Sequence, residues 1–224
     1  MTRMRIKFAC WTCGCAALLL SAGAGCQSSN SSSSSDSGTV TTPTNRTSPS
    51  SPFPDAHTLQ VRMIPQKTEM WCWAASGQMV MEFLGSTVSV EQCEQAKNRF
   101  GHSDCCDLPT PVGCINGGWP EFKKYGFESQ HTSSSELTWD QIREQIGLKQ
   151  QPIAFTWHWN QGGGHMMVII GYKLDERSLP TLVVYDPYPP DVSGVARPAQ
   201  DMLYTEYVSG SDYTHWDDYY DIHK

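Results

Sequence analysis

Hydrophobic and polar positions divide the chain into three regimes. Residues 1–25 carry Arg3, Arg5 and Lys7 ahead of an apolar stretch broken by small and polar residues, residues 26–57 have almost no large apolar side chains, and periodic patterning begins near Leu59. Residues 59–64 alternate like a short entry strand that Pro65 stops. From Ala74 a proline-free run of Ala, Gln, Met, Glu, Phe and Leu predicts a helix, and Gly85 stands where a helix commonly ends. Ser89 is placed to cap a short helix through Glu91, Gln95 and Ala96. Residues 119–126 read as a helix with Pro120 in its first turn and Gly126 beyond its end. Residues 138–147 follow as another, with Trp139, Ile142 and Ile146 spaced by three and four. Beyond them the pattern becomes strand-like over residues 152–159, 165–172, 182–186 and 202–208, joined by Gly- and Pro-rich turns. Helices in the first half and an antiparallel sheet in the second define an α+β domain over residues 58–224.

The first two regimes set the compartment. A basic start, a short apolar stretch and a small-residue end predict a secretory signal over residues 1–25. Leu18 to Cys26 resembles the bacterial lipoprotein signal, in which the cysteine is lipidated, although Gly23 replaces the usual large aliphatic residue; ordinary cleavage after Ala24 is the alternative. The expected product is exported, as a membrane-anchored lipoprotein or in secreted or periplasmic form, and touches a membrane only through an anchor at Cys26. Residues 26–57, rich in Ser, Thr, Pro and Asn, read as a disordered tether. Removing the three basic residues of the leader takes the formal charge from −7 to about −10, which argues against nucleic-acid binding.

Export gives the cysteines meaning. Cys93, Cys105, Cys106 and Cys114 suggest two disulfides, which leaves Cys72 as a free thiol. Of three connectivities the vicinal Cys105–Cys106 bond is disfavoured as strained, and two stay open. Structural zinc is disfavoured because the four lack pair-of-pairs spacing. No metal or organic cofactor is expected, and the domain is expected to act as a monomer.

Cys72 lies between Trp71 and Trp73 at the start of the predicted helix, where free N–H groups and the macrodipole stabilise a thiolate. Gln66, six residues upstream, is placed to donate to an oxyanion beside the sulfur. His165 begins one strand and Asp186 ends the next, so antiparallel pairing sets them side by side. Imidazole then accepts the Cys72 proton, and the carboxylate fixes its orientation. Each residue has a plainer reading: Cys72 as an inert core cysteine, His165 as a strand-end residue bonded to backbone, Asp186 as a turn aspartate before proline. His158, between two tryptophans, is the rival base. Trp71, Trp73, Trp119 and Trp157 belong to the core or line a cleft, and core is the commoner fate.

Gln66, Cys72-Trp-Ala-Ala-Ser76, Gly113-Cys-Ile-Asn-Gly-Gly118 and Gly164-His-Met-Met-Val-Ile-Ile-Gly-Tyr172 together resemble a papain-like cysteine protease, close to the bacterial branch that includes plant-pathogen effector proteases. The resemblance covers roughly residues 64–187. It implies a central Cys-bearing helix packed on a C-terminal sheet, a Cys72–His165–Asp186 triad, an oxyanion hole from Gln66 and the Cys72 N–H, and protein or peptide substrates. The chain departs from that pattern in three places. Asp186 stands where plant and lysosomal members have asparagine, Glu69 stands where they have a bridging cysteine, and a long helical propeptide is missing. The same constellation also serves amidases, deamidases and transglutaminase-like acyltransferases. A non-catalytic surface-binding lipoprotein is the remaining alternative.

Overall fold

The computed structural model describes residues 52–191, 193, 195 and 197–224. The expected signal, the lipidation cysteine Cys26 and nearly all of the tether lie outside the described residues. In chain order the elements are β1 (His57–Thr58), α1 (Cys72–Phe83), α2 (Gln92–Phe100), β2 (Glu128–His131) and α3 (Trp139–Arg143). They continue as β3 (Ile153–Trp159), β4 (Gly164–Leu174), β5 (Pro180–Tyr185), β6 (Gln200–Leu203), α4 (Tyr204–Val208) and β7 (Tyr213–His223). The strands form one antiparallel sheet in the order β2-β7-β3-β4-β5-β6, with β1 joined to β4. This is the expected α+β arrangement.

Helix α1 is the centre of the molecule. Residues Trp73 to Met81 are all buried, so the helix has no solvent face over that span and is held by packing rather than by propensity. It lies on β4, where Ser76 Oγ donates to the Met166 carbonyl at 3.2 Å. Gly77 admits its neighbours closely: a Cβ there would come within 2.9 Å of Gln95 Oε1 and 3.0 Å of Pro120 Cβ. Gln95 Nε2 in turn donates to the Ala74 carbonyl at 2.8 Å and ties α2 to α1.

Several expectations are corrected. Residues 59–64 keep their alternation, with Leu59, Val61 and Met63 buried and Gln60 and Arg62 exposed, but only β1 pairs with the sheet. β5 covers one edge of β4 and β3 the other up to Ile169, so the entry segment pairs at Gly171 and Tyr172 and makes a last bond from Leu59 N to the Ile170 carbonyl at 2.8 Å before β3 blocks its way. Helix α2 starts at Gln92 with Glu91 at its cap, and Ser89 makes no cap. Residues 119–126 form only a 3₁₀ turn, Phe122–Tyr125, closed by Gly126 at φ +80°. The strand expected over 202–208 ends at Leu203, whose N–H is taken by the Glu206 carboxylate at 2.9 Å as α4 begins. The helix at 138–147 is present, with a capping box between Thr138 and Gln141 and a final π turn, Glu144–Leu148.

Strands β2 and β7 had no counterpart among the predicted elements. β7 carries Asp217 and Asp218 in its middle, and both are buried. Asp218 Oδ2 accepts from Leu137 N (3.0 Å) and the Tyr207 hydroxyl (2.7 Å) and faces His215 Nε2 at 3.0 Å. Burial and the Asp218 charge push the Tyr207 hydroxyl well above its usual pKa, so it stays a donor at any ordinary pH. Tyr207→Phe is expected to lower the unfolding free energy by about 1–3 kcal/mol, because a buried carboxylate loses a donor. Urea denaturation checks this, and an unchanged midpoint would show that the cluster contributes nothing.

Two disulfides, Cys93–Cys106 and Cys105–Cys114, select one of the two open pairings and bind α2 to the excursion before β2. Among the described residues Cys72 is the free cysteine. No helix among them is long and apolar enough to cross a membrane.

Candidate active site

Cys72 is the first residue of α1, and Trp71 occupies the cap position without a side-chain cap bond. The sulfur therefore sits among the unpaired N–H groups of the first turn. The flanking tryptophans fix it in place. Trp71 Nε1 donates to the Cys114 carbonyl at 2.8 Å and Trp73 Nε1 to the Asn116 carbonyl at 3.1 Å. Each is only 1% exposed, so both are core residues rather than cleft walls. The Gly-rich turn at 113–118 is thus stapled to both sides of the thiol, and the Cys105–Cys114 bond anchors that turn.

His165 is the second residue of β4, and Asp186 follows the last residue of β5. The β4–β5 register, with Val168 opposite Tyr185, brings them together. His165 Nε2 lies 2.7 Å from Asp186 Oδ1, and that oxygen also accepts from Tyr188 N at 2.9 Å. The other ring nitrogen is left for the thiol, and the two groups act on each other: His165 lowers the Cys72 pKa and Cys72 raises that of His165.

The electrostatics follow from these contacts. Burial alone would raise the Cys72 pKa, but the bond to His165, the imidazolium charge and the backbone N–H groups of Met166 and Trp73 bring it below its usual value. Burial alone would lower the His165 pKa. Hydrogen bonds to Asp186 and Cys72, with their negative charges, instead push it up to about 10. Both shifts act in favour of the thiolate–imidazolium form over the neutral pair, and that is the form suited to nucleophilic acyl transfer.

Gln66 is 1% exposed and joined to this site through its backbone. Its N–H donates to the Pro187 carbonyl at 3.0 Å, and its carbonyl accepts from Asp191 N at 2.8 Å. Its side-chain nitrogen is engaged with the carbonyls of Thr68 (2.8 Å) and Glu69 (3.1 Å), closing the turn that leads to Cys72. The rival base His158 lies elsewhere: it is exposed, paired with Gly164, and set edge-on against Trp216 at 4.8 Å. The sulfurs of Cys93, Cys105, Cys106 and Cys114, which the zinc alternative required, are consumed in disulfides. Sequence reasoning missed the Tyr188 N–H that holds Asp186. Its one legible sign is the run Pro187-Tyr-Pro-Pro190, in which Tyr188 carries the only backbone donor.

A free thiol at the start of a buried helix, with a histidine on the adjoining antiparallel sheet, is an arrangement suited to a cysteine-type peptidase. The chain belongs to the Peptidase_C39 like family, whose model matches residues 58–214, and it is a cysteine-type peptidase. Among solved structures it is similar to digestive procathepsin L 3 of the Tenebrio molitor larval midgut, at 13% identity and a TM-score of 0.44 over 77% of this chain and 71% of that one. It is also similar to the proform of the ragweed pollen allergen Amb a 11, a cysteine protease, at 14% identity and a TM-score of 0.41 over 77% of this chain and 66% of that one. No curated protein sequence matches the chain.

Proposed function

We propose that this chain is an exported peptidase that hydrolyses peptide bonds of protein or peptide substrates, with Cys72 as nucleophile and His165 and Asp186 completing a triad. The observation that carries the reading is the 2.7 Å contact between Asp186 and His165, a histidine that in turn lowers the Cys72 pKa. The Cys72 thiolate attacks the scissile carbonyl, and the oxyanion is stabilised by the Cys72 N–H and the Gln66 amide, which exchanges a backbone carbonyl for the substrate oxygen. Protonated His165 gives its proton to the leaving amine, and water then hydrolyses the thioester with His165 as base. Asp186 holds the imidazole with its second nitrogen towards sulfur. Two disulfides suit an oxidising compartment, which supports export.

The test is intact-mass analysis of the full-length protein, exported during expression, after incubation with an epoxide directed at activated thiols. One adduct that maps to Cys72, lost in Cys72→Ala and slowed in His165→Ala, is the expected result. A folded protein with no adduct, or an adduct at another residue, would overturn the reading. A panel of protein, peptide and glutamine-amide substrates then separates hydrolysis of peptide bonds from deamidation or acyl transfer.

A further inference from the structure

Asp186 lies outside the regular sheet. β5 ends at Tyr185, and the next residues are Asp186-Pro-Tyr-Pro-Pro-Asp191. Prolines at 187, 189 and 190 lack N–H groups, and the remaining donor between them, Tyr188 N, is spent on Asp186 Oδ1. At its far end Asp191 N donates to the Gln66 carbonyl at 2.8 Å, and between the two ends the Pro187 and Pro189 carbonyls are held by donors that reach them from elsewhere. Two groups supply them. Gln66 N donates to the Pro187 carbonyl at 3.0 Å. Arg197 spans the segment: Nη2 donates to the Pro187 carbonyl at 2.6 Å and Nη1 to the Pro189 carbonyl at 2.9 Å. The two carbonyls flank Tyr188, and the first is shared with the Gln66 backbone. The acidic group that senses the guanidinium is Asp191, whose carboxylate is otherwise bonded to Ser193.

We propose that Arg197 is a positioning residue for the peptidase reaction: its guanidinium fork fixes the loop that aims Asp186 at His165 and joins that loop to the Gln66 limb. The inference rests on the roles given above to Cys72, His165, Asp186 and Gln66. A planar fork with two parallel donors suits two carbonyls on one turn, whereas a lysine ammonium is a single point of charge. Releasing the fork frees the proline-rich turn. Asp186 then spends less time against Nε2, the imidazolium is less stabilised, and the Cys72 pKa rises.

The test needs no known substrate. The rate of Cys72 alkylation by iodoacetamide is followed from pH 5 to 9 by intact mass in the full-length wild type, Arg197→Ala and Arg197→Lys, with Cys72→Ala as the control for site. Arg197→Ala is expected to react about tenfold more slowly near pH 6, equivalent to about one pKa unit, and to converge with wild type near pH 9. Low-millimolar guanidinium is expected to restore much of the rate in Arg197→Ala and to leave wild type unchanged. Arg197→Lys is expected to recover less than half. A folded Arg197→Ala with the wild-type profile, or one slowed equally at all pH values with no rescue by guanidinium, would overturn the proposal. If Arg197→Ala fails to fold, Arg197→Lys carries the test, and a wild-type profile there has the same meaning. If wild-type Cys72 itself shows no reactivity at low pH, the reading of the site falls and the inference falls with it. A reactive wild type with an unshifted variant removes the inference alone.

Discussion

Cys72→Ala is expected to reduce peptide hydrolysis on the order of 10⁴-fold or more, to background, because no other group within the site can form the thioester. His165→Ala is expected to cost about 10²- to 10⁴-fold, the usual worth of a positioned acid–base group, and to leave some thiol reactivity at high pH, where Cys72 ionises unaided. Both variants should fold, since neither side chain holds the core together. The pH profile carries the sharper test. With the Cys72 pKa below its usual value and His165 raised to about 10, both shifts widen the pH range over which the thiolate–imidazolium form exists. Hydrolysis is therefore expected to follow a broad bell, falling on the acid side as Cys72 is protonated and on the alkaline side as His165 loses its proton. The same raised pKa has a consequence for stability. The His165 contribution is fully present below its ordinary pKa of 6.5 and is lost as pH rises towards 10. A profile centred on an unshifted thiol, active only at alkaline pH, would show that the ion pair does not form.

The second large effect concerns the staple behind the nucleophile. Removing the Cys105–Cys114 bond by replacing both cysteines with alanine is expected to cost about 2–4 kcal/mol, the range for closing a short loop. For a domain of this size that corresponds to a fall of roughly 5–15 °C in the melting midpoint. The damage should extend beyond stability. The carbonyls of Cys114 and Asn116 receive the indole N–H groups of Trp71 and Trp73, so a loosened turn frees both sides of Cys72. Thermal melts followed by circular dichroism, paired with Cys72 alkylation rates, check both parts. Reductant on the wild type is expected to act in two phases: low concentrations protect the thiol, and high concentrations slow its reaction as the bridge opens. A double variant that melts within about 2 °C of wild type would remove the staple as an explanation.

How far the site was legible depends on whether a residue's role comes from its neighbours in sequence. Helix α1 and the Cys72 position at its start follow from local composition, and so do most of β3, β4 and β5 with His165 at the head of β4. The side-by-side placement of His165 and Asp186 was also legible, because antiparallel pairing of consecutive strands constrains register to a few choices. β7 was not. Two adjacent aspartates in a strand pattern argue against burial until Leu137, Tyr207 and His215 are seen to satisfy one of them; His215 is only three residues away, but Leu137 lies 81 residues back along the chain. Residues 204–208 follow the same logic: the aromatic run reads as strand, and the Glu206 carboxylate on Leu203 N turns it into α4.

By itself, then, the sequence determined the chemistry: one unpaired thiol beside four other domain cysteines, a helix start to lower its pKa, a histidine at a strand end, and a net negative charge. Those are local or compositional properties, and tertiary context had little power to change them. Only the tertiary structure decided which cysteines bond, that both tryptophans beside Cys72 face inward to hold carbonyls of a distant turn, and that Arg197 reaches back across ten residues to the loop carrying Asp186. The physical reason is common to all three. Each is a hydrogen bond or covalent link between groups whose meeting depends on the path of the whole chain, and no periodicity or spacing encodes that path.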